Sequence, residues 1–164
     1  MTEAKWLRCT GPRKMLKFLG HKASQRKLRL FACACCRSVS HLFVDEWSPA
    51  AVETAERYAD GSITVGRLTA AQRRIYRIIK LRMPNGSPQV YAANAAKCAS
   101  IGLPFDAATA IETAEIAACA LGKPTTRFGR TADAAERKVQ CRLLSCIFGN
   151  PFRRKTAIIP TVHK

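Results

Sequence analysis

Apolar residues recur along this chain at spacings of three and four, the period of helices with one buried side. Caps, glycines and prolines cut the pattern into segments. Thr2 is placed to cap a short helix running through Cys9. Pro12 suits a first helical position and opens Arg13 to Leu19, closed by Gly20. Ser24 reads as the N-cap of a long helix reaching about Glu46. Ser48-Pro49 starts the next, ending at Gly61, and Thr64 starts another that runs to Arg82, before the turn cluster Met83-Pro84-Asn85-Gly86. Pro88 or Gln89 to Ser100 is alanine-rich and helical in pattern. Asp106 caps Ala107 to Leu121, and Thr131 caps Ala132 to Phe148, closed by Gly149.

No segment alternates apolar and polar residues long enough to require a strand; Ala157-Ile158-Ile159 is cut short by Pro160. The fold class is therefore all-α: a single irregular multi-helix bundle of about six to eight helices, with no repeat that would build a solenoid. Residues 1–150 form the helical domain, and 151–164 a basic, loosely held tail. A length of 164 residues suffices for a core without staples.

Charge narrows the function classes. Lys and Arg total 28 against 11 acidic residues, a net charge of +17, and Met1 to Val44 alone holds ten basic residues and one acidic residue. Such an excess attracts polyanions through counterion release, which points to nucleic acid first and an acidic protein second. No run approaches the roughly 18 apolar residues of a membrane span. Met1 to Cys9 carries charges where an export signal needs an apolar stretch, so the expected compartment is the cytoplasm, with no membrane partner.

The candidate polyanion surface is the helix from Thr64 to Arg82. Leu68, Ala71, Ile75, Ile78 and Ile79 share an apolar face. Arg73, Arg77 and Lys80 form a stripe opposite, flanked by Arg67, Arg74 and Arg82, and Tyr76 lies close enough to stack on a base. Arginine forks suit phosphate oxygens. No helix-turn-helix, zinc-finger or RNA-binding signature accompanies the stripe.

Eight cysteines supply the second candidate chemistry. In a reducing compartment, packed thiols are the default. On the Ser24 helix, Cys35 falls among Leu28, Phe31 and Val39 on the core face and Cys36 at its edge. Cys33 falls on the other side with Arg26, Arg29 and Arg37, whose charges would favour a thiolate. Cys33 and Cys36, three apart, are the pair that would form a local disulfide or supply two zinc ligands. The other ligands would have to come from His21, His41, Cys9, Cys98, Cys119, Cys141 or Cys146. Arg29 stands where the anti-sigma type of helical zinc motif has its histidine. The expected cofactor is none, with zinc as the alternative. Glu53 with Glu56 and Glu112 with Glu115 repeat a helical spacing without a metal-binding histidine. No phosphate loop, nucleophile elbow or His-Glu-x-x-His helix occurs, so the pattern points away from an enzyme.

Three blocks together carry a resemblance: Trp6-Leu7 and Met15 to Leu19 followed by Lys27 to Arg37 with its Cys33-Ala34-Cys35-Cys36; Ala51 to Gly61; and Ile147-Phe148-Gly149-Asn150-Pro151-Phe152-Arg153. In these the chain resembles an uncharacterised family of hypothetical proteins abundant in planctomycete bacteria. The resemblance implies kinship and brings no catalytic residues. Those relatives continue beyond the Asn-Pro-Phe block, which implies a shortened C-terminus here and apolar surface uncovered near Phe148 and Phe152. The leading expectation is a non-enzymatic basic helical binding module. A cysteine-based redox or zinc regulator and a structural or assembly domain are the alternatives.

Overall fold

The structure is a computed structural model and describes residues 1–122 and 133–153. Among the described residues it is all-α, with eight helices and no strand. These are α1 (Glu3–Leu7), α2 (Pro12–Leu19), α3 (Gln25–Ser38), α4 (Trp47–Ala59), α5 (Val65–Arg82), α6 (Pro88–Ala99), α7 (Ala107–Leu121) and α8 (Ala134–Phe148). Short 3₁₀ turns, Gly20–Lys22 and Ser40–Leu42, follow α2 and α3. No described helix is long and apolar enough to cross a membrane.

Most helix starts follow from capping chemistry. The side chains of Thr2, Ser24, Ser87, Asp106 and Asp133 each accept a backbone N–H from the first turn of the helix that follows. Thr131 and Ala132 lie outside the described residues; α8 begins at Ala134 behind its Asp133 cap. At the other end of α8, Gly149 takes φ +73°, a conformation side chains disfavour, and returns its N–H to Ser145.

Besides the end of α1, at Leu7 rather than Cys9, and the start of α8, two boundaries differ from the pattern. The cysteine helix stops at Ser38 rather than near Glu46, because Ser38 Oγ turns back on the Cys35 carbonyl at 2.8 Å and Val39 leaves helical geometry. The next helix is initiated by Asp45, not Ser48. Asp45 Oδ1 accepts the N–H groups of Trp47 and Ser48, both at 2.8 Å, and its Oδ2 accepts the Ser48 hydroxyl at 2.7 Å. Ser48 itself is buried.

α3 is the inner helix, touching α4, α6, α7 and α8. α6 and α7 make the most extensive pairing, since alanines such as Ala92, Ala96, Ala114 and Ala117 let them approach closely. Helices on both sides of the Met83–Gln89 turn pack into one core. The Asn150-Pro151-Phe152 block folds back on the N-terminus. Asn150 Nδ2 donates to Glu3 Oε1 at 2.6 Å, and the Phe152 ring stacks on Phe18 at 5.3 Å. Phe148 is half-buried, so the apolar surface expected there is partly covered. Residues 154–164, with Arg154, the Ala157-Ile158-Ile159 stretch and His163, lie outside the described residues.

Candidate nucleic-acid interface

α5 lies at the edge of the bundle, packed on α4 and α6. Leu68 and Ile75 are fully buried, and Ala71 and Ile79 are partly buried against the same core. The helix ends at Met83, held extended by the following Pro84. One side of the cylinder is thereby committed to the core and the other to solvent.

All six cations expected on that outer side, Arg67, Arg73, Arg74, Arg77, Lys80 and Arg82, are exposed. None takes part in the four ion pairs found among the described residues. The contrast with the N-terminal basic block is instructive. There Arg13 forms a two-pronged pair with Glu115 at 2.8 and 2.7 Å, Arg26 meets Asp60 at 2.6 Å, and Arg37 meets Glu56 at 2.7 Å. Among the described residues α5 has no such partners, and the chain between Asp60 and Asp106 contains no acidic residue while it carries seven basic ones.

Aromatic rings stand on both flanks of the stripe. Towards α4, Trp47 lies under the Arg74 guanidinium, whose carbon is 5.0 Å from the ring centroid. This pair opens on a cleft of about 290 Å³, walled by Ala50, Ala51, Ala70 and Ala71 and edged by Arg57 and Arg67. Towards α6, Tyr76 is half-exposed, with Lys80 Nζ 5.8 Å from its ring centroid. Here Tyr76 lines a recess of about 350 Å³ with Gln72, Arg73, Arg77 and Lys97. Neither recess has an acidic lining residue. Trp47 and Arg57 escape a reading of α5 alone, since they come from α4 and no local pattern marks them. Their only sequence signal is an aromatic residue beside a helix start.

The cysteine cluster sits elsewhere and differently from its expected placement. Cys33 is not on a solvent face among arginines. It is buried, and its Sγ–H is directed at the Val52 carbonyl at 3.9 Å. Being inner, α3 is covered by α4 and α6 on the side a helical projection assigns to solvent. Burial, reinforced by Glu56, raises the Cys33 thiol to about 12, and the opposing pull of Arg29 and Arg37 does not offset it. Cys35 and Cys36 are fully buried, and burial raises both well above the ordinary thiol value. Among the described residues no three His, Cys, Asp or Glu side chains are grouped as a metal site requires. His21 and His41 are exposed.

The arginine expected beside Cys33 has its own structural role. Arg29 is 2% exposed and donates to the carbonyls of Ala99 at 2.8 Å, Ile101 at 2.6 Å and Gly102 at 3.1 Å. Its guanidinium lies between the Phe105 ring at 4.1 Å and the Tyr58 ring at 5.0 Å. It closes the C-terminal end of α6, where carbonyls lack intrahelical partners and a positive charge is favoured. No protein-family model, curated protein or solved structure matches this chain.

Proposed function

We propose that the protein is a non-catalytic helical module that binds nucleic acid along α5. The observation that carries the reading is the set of six exposed α5 cations without an ion-pair partner among the described residues. Unpaired surface arginines keep their full charge for phosphates, and their forks match phosphate geometry. Cations already bound to carboxylates would have to exchange one partner for another. The cysteine-based alternative at Cys33 and Cys36 has less support, because a thiol held protonated in the core is a poor nucleophile and a poor ligand.

Fluorescence anisotropy with a labelled oligonucleotide, titrated across salt concentrations, tests the proposal. Affinity should fall linearly on a log–log plot, and Arg73→Gln, Arg77→Gln and Lys80→Gln together should flatten the slope by about 2–3. No binding of DNA or RNA at low salt removes the reading.

A further inference from the structure

We propose that the nucleic acid held along α5 is single-stranded, with one unpaired base entering the cleft beside Trp47. This inference rests on the reading of α5 as a nucleic-acid surface and specifies its ligand.

The argument begins with what a duplex offers. Its phosphates are accessible, but its base faces are stacked on one another, so a surface that binds duplex backbone has no use for exposed aromatic planes. Two planes at least partly open to solvent flank α5: Trp47 of α4, half-buried with the Arg74 guanidinium over it, and the half-exposed Tyr76 with Lys80 beside it. An indole with a guanidinium already held 5.0 Å away is a flat, cationic platform, and both of its components stack on bases.

The space beside it has matching dimensions. The cleft of about 290 Å³ lies just below the range of drug-sized ligand sites, about 300 to 1,000 Å³. That suits one ring system and excludes a helix or a hairpin. It exists because alanines from α4 and α5 face each other there: Ala50 and Ala51 against Ala70 and Ala71. Arg57, Arg67 and Arg74 surround it, placed to take the phosphates on either side of the inserted base.

The two aromatic stations sit on opposite flanks of one helix, so a strand joining them crosses about one helix diameter, 10–12 Å. At about 3.4 Å per nucleotide of a stacked strand that is about three nucleotides, and fewer if the strand is extended. The crossing runs over Arg73 and Arg77. The Trp47 cleft has no carboxylate or carboxamide in its lining, and the Thr54 hydroxyl is donated to the Ala50 carbonyl at 2.7 Å. With the three arginines taken up by the flanking phosphates, base edges meet few groups that tell one base from another, and binding should tolerate any sequence.

The test compares three 12-nucleotide probes at one salt concentration: oligo-dT, a blunt duplex, and a fully abasic strand with the same phosphates. Oligo-dT should bind at least about tenfold tighter than either of the others, a ratio typical of one stacked base. It should also quench the Trp47 emission, since Trp6 is buried. Trp47→Ala should remove most of that preference while the salt slope stays the same, and Trp47→Phe should restore part of it. The abasic comparison uses the unaltered protein and holds even if the alanine variant does not fold. Equal binding of oligo-dT and abasic strand, or duplex binding as tight as oligo-dT, overturns this inference and leaves the α5 reading standing. Failure of all three probes to bind removes both.

Discussion

Replacing Arg29 by methionine deletes a buried charge and its donors while keeping an unbranched side chain in place. The wild-type guanidinium makes three hydrogen bonds to the carbonyls of Ala99, Ile101 and Gly102 and lies between two aromatic rings. Hydrogen bonds from a charged donor contribute about 1.5–3 kcal/mol each, and a desolvated cation–π contact about 2 kcal/mol. Against these stands the cost of taking the cation out of water, several kcal/mol. Burial also lowers its pKa, although arginine starts far enough above neutrality to stay charged. Arg29→Met additionally leaves the end of α6 with carbonyls that water cannot readily reach. The expected net loss is about 3–5 kcal/mol, from carbonyls left without a donor at about 1–3 kcal/mol each, less the desolvation cost that the mutation removes. Arg29→Lys keeps the charge but not the fork, and should lose about half as much. Equilibrium urea unfolding reads this directly. With a slope of about 2 kcal/mol per molar, the midpoint should fall by about 1.5–2.5 M for methionine. Methionine stability equal to or above wild type would refute the reasoning. It would mean that desolvation cancels every contact and that α6 needs no cation at its end.

Three further outcomes follow from named groups. Asp106 caps α7 through the Thr109 N–H at 2.9 Å, which with the Thr109 hydroxyl holds its carboxyl below the usual range. Asp106→Ala should therefore cost about 1 kcal/mol at neutral pH. A lowered pKa stabilises above the unfolded value and is lost as pH falls through the folded one, so thermal melts of the two proteins should converge in acid. The buried thiols have the opposite sign: burial raises Cys33 and Cys141 to about 12 and Cys98 to about 11. Their stabilisation is complete below the unfolded pKa and is lost as pH rises towards the folded value, by about 1.5–2 kcal/mol per thiol at pH 10. Melting temperature should fall between pH 8 and 10.5, less steeply in Cys33→Ala; parallel curves would contradict the burial argument. A disulfide-exchange reagent at pH 8 should modify the exposed Cys146 first, leaving Cys33, Cys35 and Cys36 unmodified until denaturant is added. Rapid native modification of Cys33 or Cys36 would favour the thiol-based alternative.

Local chemistry was largely readable in the residues themselves. Thr2, Ser24 and Asp106 announce helix starts because a side-chain oxygen within a few residues satisfies the first-turn N–H groups, and Gly149 announces an end through its permitted backbone angles. The α5 stripe was equally legible, since a helix at the edge of a bundle obeys a one-sided pattern: Leu68 and Ile75 inside, Arg73, Arg77 and Lys80 outside.

That one-sided rule failed on α3. Helical periodicity says which residues share a face but not how many neighbours a helix will have. With α4, α6, α7 and α8 around it, α3 buries Arg29 and Cys33 on what looked like its polar side. An electropositive thiol became a core thiol, and the arginine expected to activate it became the closure of another helix. The tertiary structure likewise brought Trp47 and Arg57 of α4 beside Arg67 and Arg74 of α5. Periodicity determines the composition of each face; only the packing of helices distant in sequence determines which faces meet and which remain exposed to a ligand.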